Sequence, residues 1–471
     1  VWLGPCDRRS ALAWVPRETG ALQQVRQHRD PAYRRWPPHV NLLWPFVEEA
    51  DLDAAIGALP PLEPFRAVLD QPGTFPNRRP VQFLGPADAA PWQGAIRALR
   101  ERFPTAGAPG APHLTLARDD DPLPTLQIDE PMDAWVVLTR RGDGPYEVRG
   151  RWTEAGWADV LERWPFEPAR PWGREIPEGA VVVGSRRLGV ALDGADLDLV
   201  FFGDETAARA AFADWGEARS VEKAGLAGLV IGDVDVVLVP EGATPAHPDE
   251  AVVHALTAVE DADTLRARMA DRPLYAEVVR WVKAWARAQE LDRGALGGVE
   301  GLAWAVLVAE SLEEDDLDTE LKRFFATWAA WDWSEGVGMP AVTPVTIATP
   351  SPPVRCITQR ARRPWLEAAL WEGWEAMETG GREALLVRPR WHREHAEAVL
   401  VRSDDPEVRG RAQGRARALI DLLGEVRPRS LVDGFALGLP RGFVPEAVDA
   451  ALADWTDGAL EVRRCPTSEI P

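Results

Sequence analysis

Lysine is almost missing from this chain: of 53 basic residues among 471, only Lys223, Lys283 and Lys322 are lysines. The bias reads as one of genome composition, but it makes each remaining ammonium conspicuous as a phosphate ligand. Cysteine is equally scarce. Cys6, Cys356 and Cys465 are scattered, which excludes a disulfide framework and a zinc cluster. No apolar run approaches the roughly 18 residues of a membrane span, and the first residues carry no signal-peptide pattern. A cytoplasmic protein with no membrane partner is therefore expected, and no protein partner can be inferred. Net positive charge is lacking too: the formal charge is -21, which excludes a generic nucleic-acid coat, since nonspecific binding rests on neutralising phosphates. Any RNA contact would need a local basic patch and a bound metal. What is present, 46% hydrophobic and 27% charged residues over 471, describes a globular protein of several domains.

The most informative stretch is Val181 to Asp204, VVVGSRRLGVALDGADLDLVFFGD. A short strand runs into Gly184 and Ser185, where the glycine permits close backbone approach and the hydroxyl and free N–H groups suit a phosphate. A second strand carries Asp196 and Asp198 two apart, hence on one face, with Leu197 and Leu199 turned to the core. Adjacent carboxylates repel, and a divalent cation is the usual remedy. Val230 to Val239, VIGDVDVVLV, reads as a neighbouring strand offering Asp235 as the third acid, with Asp233 as its alternative. Three carboxylates around Mg²⁺ or Mn²⁺ suit nucleotidyl transfer; solvated strand-edge acids are the plainer reading.

GSRRLGVALDGADLDLV resembles the nucleotidyltransferase signature of the poly(A) polymerase family. The similarity continues in WVKAWARAQELDRGALGGVEGLAW (Trp281 to Trp304), FFATWAAWDW (Phe324 to Trp333) and TPSPP (Thr349 to Pro353). The resemblance implies an NTP substrate, with ATP favoured, and an RNA 3' end as acceptor. It implies metal binding by Asp196, Asp198 and Asp235, and a triphosphate contact by Lys283. Lys223 is a further candidate, although its spacing departs from the family's. Where the family has a tyrosine and an asparagine around the base, this chain has Asp292 and Gly294.

Upstream, PHVNLLWPF (Pro38 to Phe46) and PHLTLAR (Pro112 to Arg118) are two apolar strand patterns, each opening on a histidine. His39 shares a strand face with Asn41, and His113 with Thr115. Side by side they would aim two imidazoles into one groove, a geometry for acid–base cleavage of a phosphodiester without a metal. These stretches resemble the paired H-x-T/S-x motifs of the 2H phosphoesterase superfamily, from which Asn41 departs by replacing a hydroxyl residue.

The expected organisation is multi-domain α+β. It comprises a 2H phosphoesterase-like α+β domain (1–153), a polymerase-β-like nucleotidyltransferase α+β domain (154–248), an all-helical central domain (249–350) and an RRM-like α/β C-terminal domain (351–471). Helices are expected over Glu154 to Trp164, Ala207 to Glu217 and Tyr275 to Gln289, and a proline-rich boundary at Pro165 to Pro171. In the last domain a strand at Ala396 to Val401, a helix at Val408 to Gly424, a strand at Leu431 to Leu439 and a helix at Pro445 to Trp455 are expected. Arginines gather there: Arg360, Arg362 and Arg363, then Arg388, Arg390 and Arg393, then Arg409, Arg411, Arg415 and Arg417. They suit RNA contact or, with acids interleaved, a salt-bridged surface.

The leading expectation is a bifunctional enzyme of RNA 3' ends: opening of a 2',3'-cyclic phosphate followed by nucleotide addition to the exposed 3'-hydroxyl, as in repair and tailing. The same scaffold would also suit a synthase of 2'-5' oligoadenylate-type messengers with a linked phosphodiesterase. A non-catalytic RNA-binding scaffold is the third possibility.

Overall fold

A computed structural model describes residues 2–470 apart from 77–78, 108, 143, 224, 300, 314, 334–336, 338–344, 348–356, 360–362, 454 and 456–458. The TPSPP stretch, Arg360 and Arg362 lie outside the described residues. The chain forms two compact units, 1–161 with 390–471, and 162–389. No described helix is long and apolar enough to cross a membrane.

In the first unit, alternating apolar strands build a nine-stranded sheet. Its spatial order is Gly156–Asp159, Tyr146–Thr153, Trp135–Arg140, Ser10–Trp14, Val40–Leu43, Leu114–Ala117, Val81–Pro86, Phe65–Phe75 and Ile128–Met132. The two histidine-led strands are central antiparallel neighbours, with Val40 opposite Leu114. Val40, Leu42, Leu114 and Leu116 are buried in one core with Leu12, Trp92 and Leu99. By alternation, His39, Asn41, His113 and Thr115 take the other face. The helix expected over Glu154 to Trp164 is instead a hairpin strand, Gly156–Asp159, paired with Tyr146–Thr153. Gly156, at φ +100°, makes the turn that a helix cannot contain.

The C-terminal part of this unit is a βαββαβ arrangement: Glu397–Arg402, Pro406–Leu423, Arg427–Leu431, Gly434–Gly438, Pro445–Leu452 and Glu461–Pro466. Its antiparallel sheet is ordered Arg427–Leu431, Gly434–Gly438, Glu397–Arg402, Glu461–Pro466. The single strand expected over Leu431 to Leu439 is two, split by a turn in which Val432 is fully exposed. One face of the sheet, Ala398, Leu400, Ala436 and Cys465, is buried under Trp391 and Ile470. His395 lies so close over Gly438 that a Cβ there would fall 2.5 Å from its ring. That face of the sheet is thus covered by the chain's own residues. The short helix Trp391–Glu394 packs on Glu49–Asp51, and Arg390 ion-pairs with Asp159. Buried Glu49 is held by Arg141 and Arg149 at 3.2 and 3.4 Å.

The second unit opens on a five-stranded sheet ordered Ala180–Val182, Leu197–Phe202, Val234–Val239, Leu226–Ile231, Arg219–Lys223. Leu197–Phe202 and Val234–Val239 run parallel; the other pairs are antiparallel. The strand expected over Val230 to Val239 is the end of one hairpin arm, Leu226–Ile231, and the whole of the next, Val234–Val239. Gly232, at φ +62°, and Asp233 form the turn, so Asp233 is a turn residue. The helix expected over Ala207 to Glu217 is Glu205–Ala211, capped by Asp204 through Ala207 N–H at 2.8 Å, then a separate turn at Ala213–Trp215.

Helices Glu250–Arg268, Tyr275–Ala288, Gly301–Ser311, Leu317–Ala329 and Arg363–Gly380 follow. Tyr275–Ala288, Gly301–Ser311 and Leu317–Ala329 share a core with Trp285, Trp304, Phe324, Phe325 and Trp328 almost wholly buried. Each such side chain contributes roughly 1.5–3 kcal/mol or more of apolar burial. A short parallel pairing of Val345–Ile347 with Ile357–Gln359 interrupts the all-helical pattern expected to residue 350. Residues 162–164 and 386–388 lie side by side: Trp164 N–H donates to Leu386 at 2.7 Å and Arg388 N–H to Glu162 at 2.8 Å.

Candidate active sites

In the first unit, His39 and His113 are held alike. Each Nδ1 bonds the carbonyl two residues back, His39 to Pro37 and His113 to Ala111, both at 2.8 Å. With Nδ1–H given to a carbonyl, Nε2 is the nitrogen of each ring left to exchange a proton with a ligand. Burial pushes His39 down to about 4, assisted by the charge of Arg26 and by His113, while the Pro37 bond opposes the shift. His39 is therefore a neutral base at physiological pH. Its ring stacks on Trp36 at 4.8 Å and 17°, and Trp36 stacks in turn on buried Tyr146 at 3.4 Å. Phe75 and Phe83 meet the His113 ring edge-on at 4.8 and 5.4 Å. Asn41 Oδ1 is buried beside His39, and its pull as an acceptor opposes the lowering by burial. The structure thus brings His39, Asn41, His113 and Thr115 to one face of two adjoining strands. Trp36 and Tyr146 were not singled out in the sequence. The Trp–Pro–Pro–His spacing is their one local signal.

In the second unit, the parallel pairing sets Asp198 directly opposite Asp235. Asp196 precedes the first of these strands by one residue. Burial first, then the negative charges of Asp235 and Asp196, raise Asp198 to about 6, against the opposing pull of Lys223 and Lys283. Burial, Asp235 and Asp233 raise Asp196 as well. The carboxylates are gathered, and burial together with their mutual repulsion outweighs the pull of the nearby cations. Lys223, ending the edge strand Arg219–Lys223, ion-pairs with Asp235. Among the described residues no three His, Cys, Asp or Glu side chains already stand together closely enough to hold a metal ion.

Gly184, at φ +65°, runs so close to Asp198 that a Cβ would fall 2.8 Å from Oδ2. The arginines of GSRR are braces. Arg187 makes two bonds to Asp263 at 2.8 and 2.6 Å and one to the Val182 carbonyl at 3.0 Å; Arg186 holds the Ala195 carbonyl at 2.7 Å.

Gly184, Ser185, Asp198, Lys223, Asp235 and Lys283 line a cavity of about 660 Å³; Asp196 is not among its lining residues. Lys283 projects from Tyr275–Ala288, is 8% exposed, and is lowered to about 8 by burial and by Arg287, against Asp292 and Asp198. His254, Thr257 and Asp261 of Glu250–Arg268 also face the cavity, at spacings of three and four that would have marked one helix face in the sequence. Asp292 and Gly294 are not among its lining residues: Asp292 pairs with Arg287 at 3.4 Å, and Gly294 opens a 3-10 turn.

Residues 14–144 match the family model described as the 2'-5' RNA ligase superfamily. A comparison with curated proteins gives no match. Among solved structures, the chain is similar to a cytoplasmic RNA terminal U-transferase at 14% identity, over 45% of this chain and 87% of that one, with a TM-score of 0.31. It is similar to Cid1 in complex with its short product ApU at 13% identity, over 45% and 85%, with a TM-score of 0.32. It is similar to mtPAP in complex with UTP at 12% identity, over 45% and 64%, with a TM-score of 0.31.

Proposed function

We propose that the chain joins two enzymes acting on RNA 3' ends: a phosphodiesterase in the first unit and a nucleotidyltransferase in the second. The observation that carries the second activity is the register of Asp198 with Asp235, with Gly184 and Lys283 around the same cavity. The family match over residues 14–144 and the twin histidines support the first.

In the first unit, His39 Nε2 takes the proton of a water that attacks the phosphorus of a 2',3'-cyclic phosphate. His113 gives a proton to the departing 3'-oxygen, leaving a 2'-phosphate and a 3'-hydroxyl. In the second, Asp196, Asp198 and Asp235 would hold Mg²⁺ or Mn²⁺, since oxygen donors suit hard cations and their unbalanced charge calls for one. Such a cation would activate the attacking hydroxyl and neutralise the triphosphate. Lys283 holds triphosphate oxygens by charge, and Gly184 lets the backbone close on Asp198. The covered sheet face in 390–471 leaves RNA contact to exposed arginines such as Arg390 and Arg411.

The experiment is one gel: full-length protein, Mg²⁺ or Mn²⁺, each NTP singly, and labelled RNA ending in a 3'-hydroxyl, a 2',3'-cyclic phosphate or a 2'-phosphate. Extension of the hydroxyl end and conversion of the cyclic end are expected, lost separately in Asp196→Ala and His39→Ala. NTP consumption that needs no RNA would replace this reading with oligonucleotide synthesis.

A further inference from the structure

The ring of Trp44 is large, apolar and 38% exposed, yet it is fixed in place. Its Nε1–H lies between the Arg8 carbonyl at 3.2 Å and the Tyr146 hydroxyl at 3.3 Å, and its body meets Trp36 edge-on at 6.2 Å. Trp36 is closed on both faces, by His39 and by Tyr146, so it has no surface to offer a ligand. Trp44 does, and it sits one ring away from the stack that holds His39. Over it stands the guanidinium of Arg8, 5.9 Å from the ring centre. Arg8 is exposed and has no ion-pair partner among the described residues, in a chain of net charge -21 where arginines are commonly paired with acids.

A pinned indole carrying a planar cation with no ion-pair partner among the described residues, one ring away from His39, matches a nucleobase attached to a phosphate. The base is flat and apolar on its faces, and both indole and guanidinium stack on such faces. We infer that Trp44 and Arg8 form a stacking platform for the nucleobase adjoining the phosphodiester at His39 and His113, so that this site takes RNA ends through base as well as phosphate. This rests on the phosphodiesterase reading of that groove. Trp44 and Arg8 touch no reacting atom; their contribution is to affinity and register.

The test uses the full-length protein and two labelled RNAs ending in a 2',3'-cyclic phosphate, identical except that one lacks the terminal base. Stacking on an aromatic ring is worth about 5- to 150-fold per base. The wild type is expected to lose that factor in kcat/KM on the abasic end. Trp44→Ala is expected to lose it on the base-bearing end, chiefly through KM, so that its two RNAs react alike, with Trp44→Phe recovering most of the difference. Equal rates on both RNAs in the wild type, or an equal fall on both in Trp44→Ala, would overturn the platform. Should the wild type open no cyclic end, the phosphodiesterase reading falls, and equilibrium binding of the two RNAs decides the platform by itself. Base-dependent affinity that Trp44→Ala abolishes supports it; base-independent affinity refutes it.

Discussion

Replacing Gly184 by alanine tests the proposed nucleotidyltransferase site through a single methyl group. Two penalties add. An L-residue at φ +65° costs roughly 1–2 kcal/mol, and the new Cβ would stand 2.8 Å from Asp198 Oδ2, closer than real Cβ atoms come. Asp198 is in a strand, so its carboxylate would have to turn to make room. The first penalty is expected to lower the melting temperature of the second unit by roughly 2–8 °C. The second is expected to cost far more in function, because displacement of a reacting-centre ligand on the order of 1 Å reduces rate by about 100-fold. Nucleotide incorporation at saturating NTP is the assay, with opening of cyclic-phosphate ends as the internal control that should not move. If Gly184→Ala incorporated nucleotide at the wild-type rate while Asp198→Asn was dead, the close approach of backbone to carboxylate would have no part in the active geometry.

His39→Ala and His113→Ala should each reduce cyclic-phosphate opening by about 10²–10⁴-fold without changing incorporation, measured on the same preparation. Because the folded His39 sits near 4, below its unfolded value, its contribution to stability is fully present above about 6.5 and is lost as the pH falls through about 4. The acid limb of kcat/KM for phosphodiester opening should lie near 4 too; a limb near 6.5 in a pH–rate profile would contradict the burial argument. Lys283→Met should raise the KM for NTP by roughly 10- to 100-fold, the loss of a charge-assisted bond, while calorimetry shows equal or greater stability, since burial disfavours the ammonium. Charge reversal in Arg390→Glu should loosen 390–471, seen as faster hydrogen exchange in Glu397–Arg402, and Asp159→Arg should restore protection.

Much of each site was legible because strand alternation is short-ranged: Asp196 with Asp198, His39 with Asn41 and His113 with Thr115 follow from a period of two. The misreadings share a cause. Trp157, Val160, Leu161 and Trp164 have helical spacing, but Gly156 admits a turn, and Val160 and Leu161 are largely exposed just past the hairpin strand. VIGDVDVVLV reads as one apolar run until the Gly232–Asp233 turn is taken as the break that it is. Nothing local could reveal that residues 390–471 join 1–161, because that association rests on contacts such as Trp391–Glu394 on Glu49–Asp51, more than 300 positions apart.

The adjoining crossings at 162–164 and 386–388 make the second unit an insertion within the first. Synthesis from the N-terminus therefore gives the two units different histories. Residues 162–389 emerge as one uninterrupted piece and can fold on emergence. The nine-stranded sheet is complete by Asp159 but must wait through the 310 residues from 162 to 471 for its last partner. At 5–20 residues per second that is on the order of 15–60 s, during which Glu49 and its two arginines face water. Their charges keep this unfinished surface hydrated until the C-terminal segment closes over it.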